Sequence, residues 1–147
     1  MELYTIGYQG RDLAEVLGLL EKNHIEVVLD IRDYPHSRKE GFSKSALSSA
    51  LSKRGIQYVH LRPLGAPSDM RREYRINHDW EAFAKAFTQR LLTDGTALHG
   101  LDVAIALVNS HTSCLLCFEA DPNSCHRSIV AHEICRRNGN GLCVTHL

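Results

Sequence analysis

The sequence predicts an α/β fold: a single three-layer domain over residues 1–147, with a mostly parallel sheet of about five strands flanked by helices. Three observations predict it. Short apolar runs alternate with segments of helical period in the order β-α-β-α-β-α-α-β-α-β, and helices between successive strands make those strands parallel. The run Cys114 to Phe118 is apolar throughout, as expected of a strand buried on both faces. A chain of 147 residues, 44% apolar and 23% charged, suits one soluble globular domain, large enough to bury roughly 70% of the surface its unfolded chain exposes. No internal repeat, linker or low-complexity tract interrupts this plan.

The elements follow in order. Glu2 to Gly7 reads as the first strand, and Asp12 caps a helix whose Leu13, Val16, Leu17 and Leu20 form one apolar face. The intervening Gly7-Tyr8-Gln9-Gly10 has too few glycines for a dinucleotide fingerprint, so no cofactor is assigned from it. Glu26 to Ile31 is the second strand. Ser43 is expected to cap a helix through Arg54, with Leu47 and Leu51 inside and Gly55 at its end. Gln57 to Leu61 is the third strand, followed by an irregular loop rich in proline.

Met70 to His78 places Arg71, Arg72 and Arg75 around Tyr74, a pattern that suits either a mobile lid over an anion or a solvated turn. Trp80 to Leu92 and Leu98 to Val108 have helical spacing, with Trp80 and Phe83 read as core. After the strand at Cys114–Phe118, Asp121-Pro122-Asn123 breaks the chain and Ser124 is the expected N-cap of the last helix. Asn138-Gly-Asn-Gly stops that helix before a closing strand, Leu142 to Leu147.

Net charge is zero, which argues against a protein that coats nucleic acid through charge alone. The distribution is uneven: residues 1–31 carry a net −4, residues 32–78 a net +6 and residues 79–147 a net −2. The middle third therefore suits an anionic partner, a small molecule or a nucleic acid. No apolar run approaches a membrane span and no leader precedes the first strand, so a cytoplasmic protein without membrane contact is expected. Nothing in the sequence indicates an oligomeric state. Five cysteines between Cys114 and Cys143 are an odd number and lack the spread of a disulfide scaffold, so reduced thiols are expected. Cys114, Cys135 and Cys143 read as buried packing residues. Cys114 and Cys117, three apart on a strand, face opposite sides and are not expected to share an ion.

In parallel sheets ligands bind beyond the carboxyl ends of the strands. Gly7-Tyr8, Asp30-Arg32, His60-Arg62, Cys117-Glu119 and His146 all fall at such ends. Cys125, His126 and Arg127 would occupy the first turn of the last helix, where free amides and the helix dipole favour a thiolate or an anion. The candidate catalytic residues are therefore Cys125, Cys117, Glu119, His126 and Asp30. The candidate anion- or substrate-binding residues are Arg32, Arg38, Arg127, Ser128, Tyr8 and Arg62. A structural ion pair between Asp30 and Arg32 is the alternative to a catalytic role for that acid. No metal ligand is assigned, because no two residues of these types stand at the spacing of a structural zinc site.

The segments Thr5-Ile-Gly-Tyr, Asp30 to Lys44, Tyr58 to Pro67, Leu116 to Asp121, Cys125-His-Arg-Ser and Val144-Thr-His resemble the domain-of-unknown-function 488 family. The resemblance implies which residues matter and not what they do. Three readings follow from the residues themselves. The first is an enzyme on a phosphorylated or nucleotide-like substrate, with Cys125 or Cys117 as nucleophile and His126, Glu119 or Asp30 moving protons. The second is a non-catalytic nucleic-acid or nucleotide binding module. The third is a metal-binding protein drawing on Cys117, Cys125, His126, His146 and Glu119.

Overall fold

The computed structural model describes residues 1–139 and 141–147; Asn140, within the expected helix stop, lies outside the described residues. The strands are β1 (Glu2–Gly7), β2 (Val27–Asp30), β3 (Gln57–His60), β4 (Ser113–Cys117) and β5 (Cys143–His146). They form one all-parallel sheet in the order β3-β2-β4-β1-β5. The helices are α1 (Leu13–Lys22), α2 (Lys44–Ser52), α3 (Ser68–Asn77), α4 (Trp80–Thr93), α5 (Gly95–Ser110) and α6 (His126–Asn138). The predicted three-layer α/β architecture is the observed one. No single helix among the described residues is long and apolar enough to cross a membrane.

Strand alternation divides the core into two slabs. Leu3, Val27, Leu29, Ile31 and Leu115 face α4, α5 and α6, meeting Phe87, Leu101, Ala104, Val130 and Ile134. Ile6, Val28, Cys114 and Leu116 face α1 and α2, meeting Val16, Leu20, Leu47 and Leu51. All five residues of β4 are buried, because the strand lies between β1 and β2 with helices on both sides. Asp12 caps α1 by accepting from the Glu15 amide, as its position before the apolar stripe requires.

Two local expectations are overturned. Met70–His78 is not a solvated turn: it lies largely within α3, which buries none of its residues and ends with His78 in the left-handed region at φ 53°. Its apolar face is narrow, carried by Met70 and Tyr74 one turn apart amid charged residues, so the sequence pattern conceals the helix. Ser124 does not cap α6. It closes a 3-10 turn, Pro122–Ser124, and Cys125 is the N-cap, its sulfur accepting from the Arg127 amide at 3.5 Å.

At the other end of α6, Arg136 and Arg137 both donate to Glu133, at 2.6 and 2.8 Å. The hydrogen bond from Arg136 is the larger influence holding the Glu133 carboxyl below its ordinary value. Glu133→Gln is expected to lose no more than about 1 kcal/mol at pH 7, because Arg136 is largely exposed and water screens the pair. A depressed folded pKa contributes stability above the unfolded value, near 4.5, and loses it as pH falls through the folded one. Urea titrations of both proteins should therefore show a gap at pH 7 that narrows as pH falls below about 4.5.

Candidate functional site

The chain leaves β1 through α1 on one face of the sheet and leaves its neighbour β4 through α6 on the other. The carboxyl ends of β1 and β4 thus form a topological switch point, with Gly7 paired to Cys117 at the rim. Backbone at this point is packed too closely for a side chain. A Cβ on Gly7 would run into the Glu119 carbonyl and come within 3.0 Å of an Arg127 nitrogen.

Arg127 explains that crowding. Its guanidinium donates from Nε to Thr5 Oγ1 at 3.1 Å, to the Glu119 carbonyl, and to the Ala120 carbonyl at 3.1 Å. The side chain is fully buried, and these acceptors are backbone and hydroxyl groups, not a counter-ion. Thr5 Oγ1 in turn lies 2.6 Å from His146 Nδ1. Burial and the nearby Arg127 charge both push the His146 imidazole below its ordinary value. Arg127, expected to hold a ligand anion, instead ties the exit of β4 to β1 and fixes where Glu119 sits.

Beside it, three ligand-type atoms meet. His126 Nδ1 lies 3.6 Å from Cys117 Sγ and 3.9 Å from Cys125 Sγ, and the ligand atoms of the three residues all fall within 4.8 Å of one another. The Cys117 thiol donates to Glu119 Oε2 at 3.3 Å. His126 Nε2 stands 2.8 Å from the Ile31 carbonyl, which only accepts, so Nε2 carries a proton and Nδ1 faces the sulfurs. The imidazole edge packs on Phe87 with ring centres 5.4 Å apart.

Cys117, Cys125 and His126 are all buried. Burial, with Cys117 adding to it, pushes the Cys125 thiol well above its ordinary value. A thiolate favoured by the helix N-terminus was expected at Cys125; burial opposes the charged form there. Three of the amides expected to stand free are engaged: Cys125 N donates to Pro122 O, Arg127 N to Cys125 Sγ and Ser128 N to Cys125 O. The Ser128 hydroxyl donates to the same Cys125 carbonyl at 3.0 Å.

The structure does not bring Asp30 and Arg32 into this group. Asp30 shares its strand parity with Val28, so both residues lie on the α1/α2 side of the sheet. Arg32 donates to both Asp30 oxygens at 2.9 and 2.7 Å, to Tyr8 Oη at 3.1 Å and to the Phe42 carbonyl at 2.7 Å. Tyr58 Oη donates to Asp30 at 2.5 Å, and burial followed by that bond pushes the Tyr58 phenol far up. Tyr8 stacks on Phe42 at 4.4 Å. This is the geometry of a closed ion pair, with few donors left for a ligand. Arg38 is exposed, and Arg62 is exposed 3.4 Å from Asp33; neither lines the cleft described next.

A cleft of about 480 Å³ opens above the Cys117–Cys125–His126 group. Its floor includes Glu119, Ser124, Cys125 and His126, with Phe118 at the edge. The opposite wall is Arg71, Tyr74 and Arg75 from α3 with Trp80 and Phe83 from α4. Arg71 and Arg75 are four apart, one helical turn, and so project from one face. Arg71 Nε donates to the Ala66 carbonyl at 3.1 Å, whereas Arg75 makes no hydrogen bond or ion pair among the described residues. Trp80 stacks on Phe83 at 5.1 Å and Phe83 on Phe87 at 6.0 Å, so aromatic rings run from the mouth of the cleft to His126.

Sequence reasoning missed this wall. Trp80 and Phe83, expected in the core, are half-buried and line the cleft, while Phe87 and Leu91 are the buried pair of α4. The signal was present in the cluster of arginines around Tyr74, which only a helical reading of that segment would have aimed at one place. All five thiols are free. Cys114 packs in the α1/α2 slab, on the opposite face from Cys117, but Cys135 is half-buried and Cys143 exposed, contrary to the expectation of burial.

Among the comparisons with known proteins, a family model described as "Domain of unknown function DUF488" matches residues 12–134. No curated protein and no solved structure matches the chain.

Proposed function

Since this chain belongs to the DUF488 family, whose description names no activity, we propose from its own geometry that it is a small enzyme acting on a phosphorylated or nucleotide-like anion. The observation that carries this reading is the single cleft that sets Arg71 and Arg75 opposite Glu119, Cys125 and His126. Arg75 is a cation without a protein partner among the described residues, and a guanidinium fork matches phosphate oxygens bidentately. Trp80, Phe83 and Tyr74 supply flat apolar surface for a ring attached to that anion.

The reacting end of such a substrate would lie over the floor, against Glu119 and the buried thiols. Glu119 is the group suited to move a proton. It is half-buried, accepts from the Cys117 thiol, and has its backbone carbonyl held by Arg127. The raised pKa of Cys125 weighs against a free thiolate nucleophile there and in favour of the cluster acting as a unit.

Trp80 is the only tryptophan of the chain and lines the cleft, so its fluorescence reports occupancy directly. Titration with nucleoside mono-, di- and triphosphates and with inorganic phosphate should quench or shift that emission. Arg75→Ala should weaken binding by about tenfold, or about 1.4 kcal/mol, and more so in low salt. Glu119→Gln should keep the fluorescence response and abolish turnover of whichever compound binds. Turnover that survives Glu119→Gln would leave a binding module, and a response indifferent to Arg71→Ala and Arg75→Ala would remove the substrate assignment.

A further inference from the structure

We propose that Cys117, Cys125 and His126 form a binding site for a thiophilic divalent cation of the zinc type, with Glu119 at its fourth position. The proposal does not depend on what occupies the cleft above. It rests on the mutual placement of three side chains from two places, the end of β4 and the N-terminus of α6.

The distances fit an ion. Tetrahedral bonds of about 2.3 Å to sulfur and 2.0–2.1 Å to nitrogen or oxygen put a sulfur and a nitrogen about 3.6 Å apart. His126 Nδ1 stands 3.6 and 3.9 Å from the two sulfurs. The Glu119 carboxylate oxygen lies 3.3 Å from Cys117 Sγ but outside the group of three, so it is the carboxylate that would move in to take the fourth position. Two thiols, one imidazole and one carboxylate are the donor types that select zinc or ferrous iron over magnesium or calcium.

The second observation is independent of those distances. A metal-bound histidine commonly donates its other ring N–H to a fixed acceptor, which sets the tautomer and aims the lone pair. His126 does this: Nε2–H donates to the Ile31 carbonyl at 2.8 Å, and Phe87 packs against the ring. Nδ1 is thereby turned to the sulfurs before any ion arrives. Arg127 holds the 119–120 backbone in the same way, so the carboxylate is anchored from behind.

Binding balances simply. The ion enters as M²⁺, each thiol becomes a thiolate as its S–H proton leaves to solvent, and two protons are released per ion. No oxidant or reductant is involved. With Cys117, Cys125 and His126 as firm ligands, the fourth position falls to Glu119, which lines the cleft, and a substrate oxygen or a water could replace it there.

The test uses the full chain purified without a histidine tag, stripped with chelator and titrated with Co²⁺ alone under reducing, anaerobic conditions. One Co²⁺ per chain should bind, with a near-ultraviolet thiolate-to-cobalt charge-transfer band and the intense visible bands of tetrahedral cobalt. Cys117→Ser and Cys125→Ser should each weaken binding at least about tenfold and reduce the charge-transfer band by about half. Cys135→Ser/Cys143→Ser should leave both unchanged, and Glu119→Gln should keep the charge-transfer band while altering the visible bands. Absence of a charge-transfer band in the wild-type protein would overturn the site, as would a band lost in Cys135→Ser/Cys143→Ser or a Cys117–Cys125 disulfide in the freshly reduced protein. Since no nucleotide is added, failure here leaves the cleft reading standing, and failure of the Trp80 titration leaves this site standing.

Discussion

Asp30→Ala is expected to destabilise the protein by about 3–5 kcal/mol, because it strands the buried Arg32 guanidinium without its counter-ion. Asp30 is fully buried and Arg32 nearly so. The carboxylate takes the Arg32 amide, the two donors of one guanidinium edge and the Tyr58 hydroxyl, leaving no oxygen lone pair conspicuously idle. Burial works against the Arg32 charge, and the Asp30 carboxylate more than restores it, so the guanidinium is held firmly charged. Removing only the acid therefore leaves a cation that cannot neutralise itself. The double variant Asp30→Leu/Arg32→Met removes both charges and should recover more than half of the loss. Urea denaturation at pH 7 measures both, and Asp30→Ala within about 1 kcal/mol of wild type would contradict a structural pair.

Arg127→Met should cost on the order of 4 kcal/mol, by a different route. Here no ion pair is broken. The Glu119 and Ala120 carbonyls lose their charged donor, and the Thr5 hydroxyl keeps only its contact with His146. Arg127→Lys keeps the charge and should still lose about 2 kcal/mol, because one ammonium cannot span three acceptors that a planar fork reaches. Thermal unfolding separates the two variants. Hydrogen exchange of the 118–121 amides should rise sharply in Arg127→Met, whereas a residue that merely bound solvent anions would leave both readouts unchanged.

Much of the fold was legible because β1, α1, α2, α4 and α6 each carry a period or a cap that local chemistry dictates. α3 was not, since in Ser-Asp-Met-Arg-Arg-Glu-Tyr-Arg-Ile-Asn the apolar stripe is only Met70 and Tyr74, too thin among the charges to betray a helix. At the site, the approach of Cys117 to Glu119 follows from strand parity alone and was readable. The separation of Asp30 and Arg32 from the thiols was not. β4 is apolar on both faces, so its own pattern cannot say which face Cys117 shares with which residue of β2. That answer depends on the order β3-β2-β4-β1-β5, which no local signal encodes. The cap of α6 was misplaced by one residue because Ser124 is the better capping side chain, yet the Pro122–Ser124 turn takes it out of position.

The two halves of the cleft come from distant stretches of chain. Every group on the chemical side, from Cys117 to Arg127, belongs to one strand exit and the helix turn that follows it. The recognising wall comes from α3 and the start of α4, and the exposed face of α3 is held by few interior contacts. Substitutions along that helix can change what is admitted without displacing a sulfur, an imidazole or the carboxylate. On the proposed reading, selectivity and reactivity would be separately heritable, and one floor could serve a succession of substrates as the wall above it drifts.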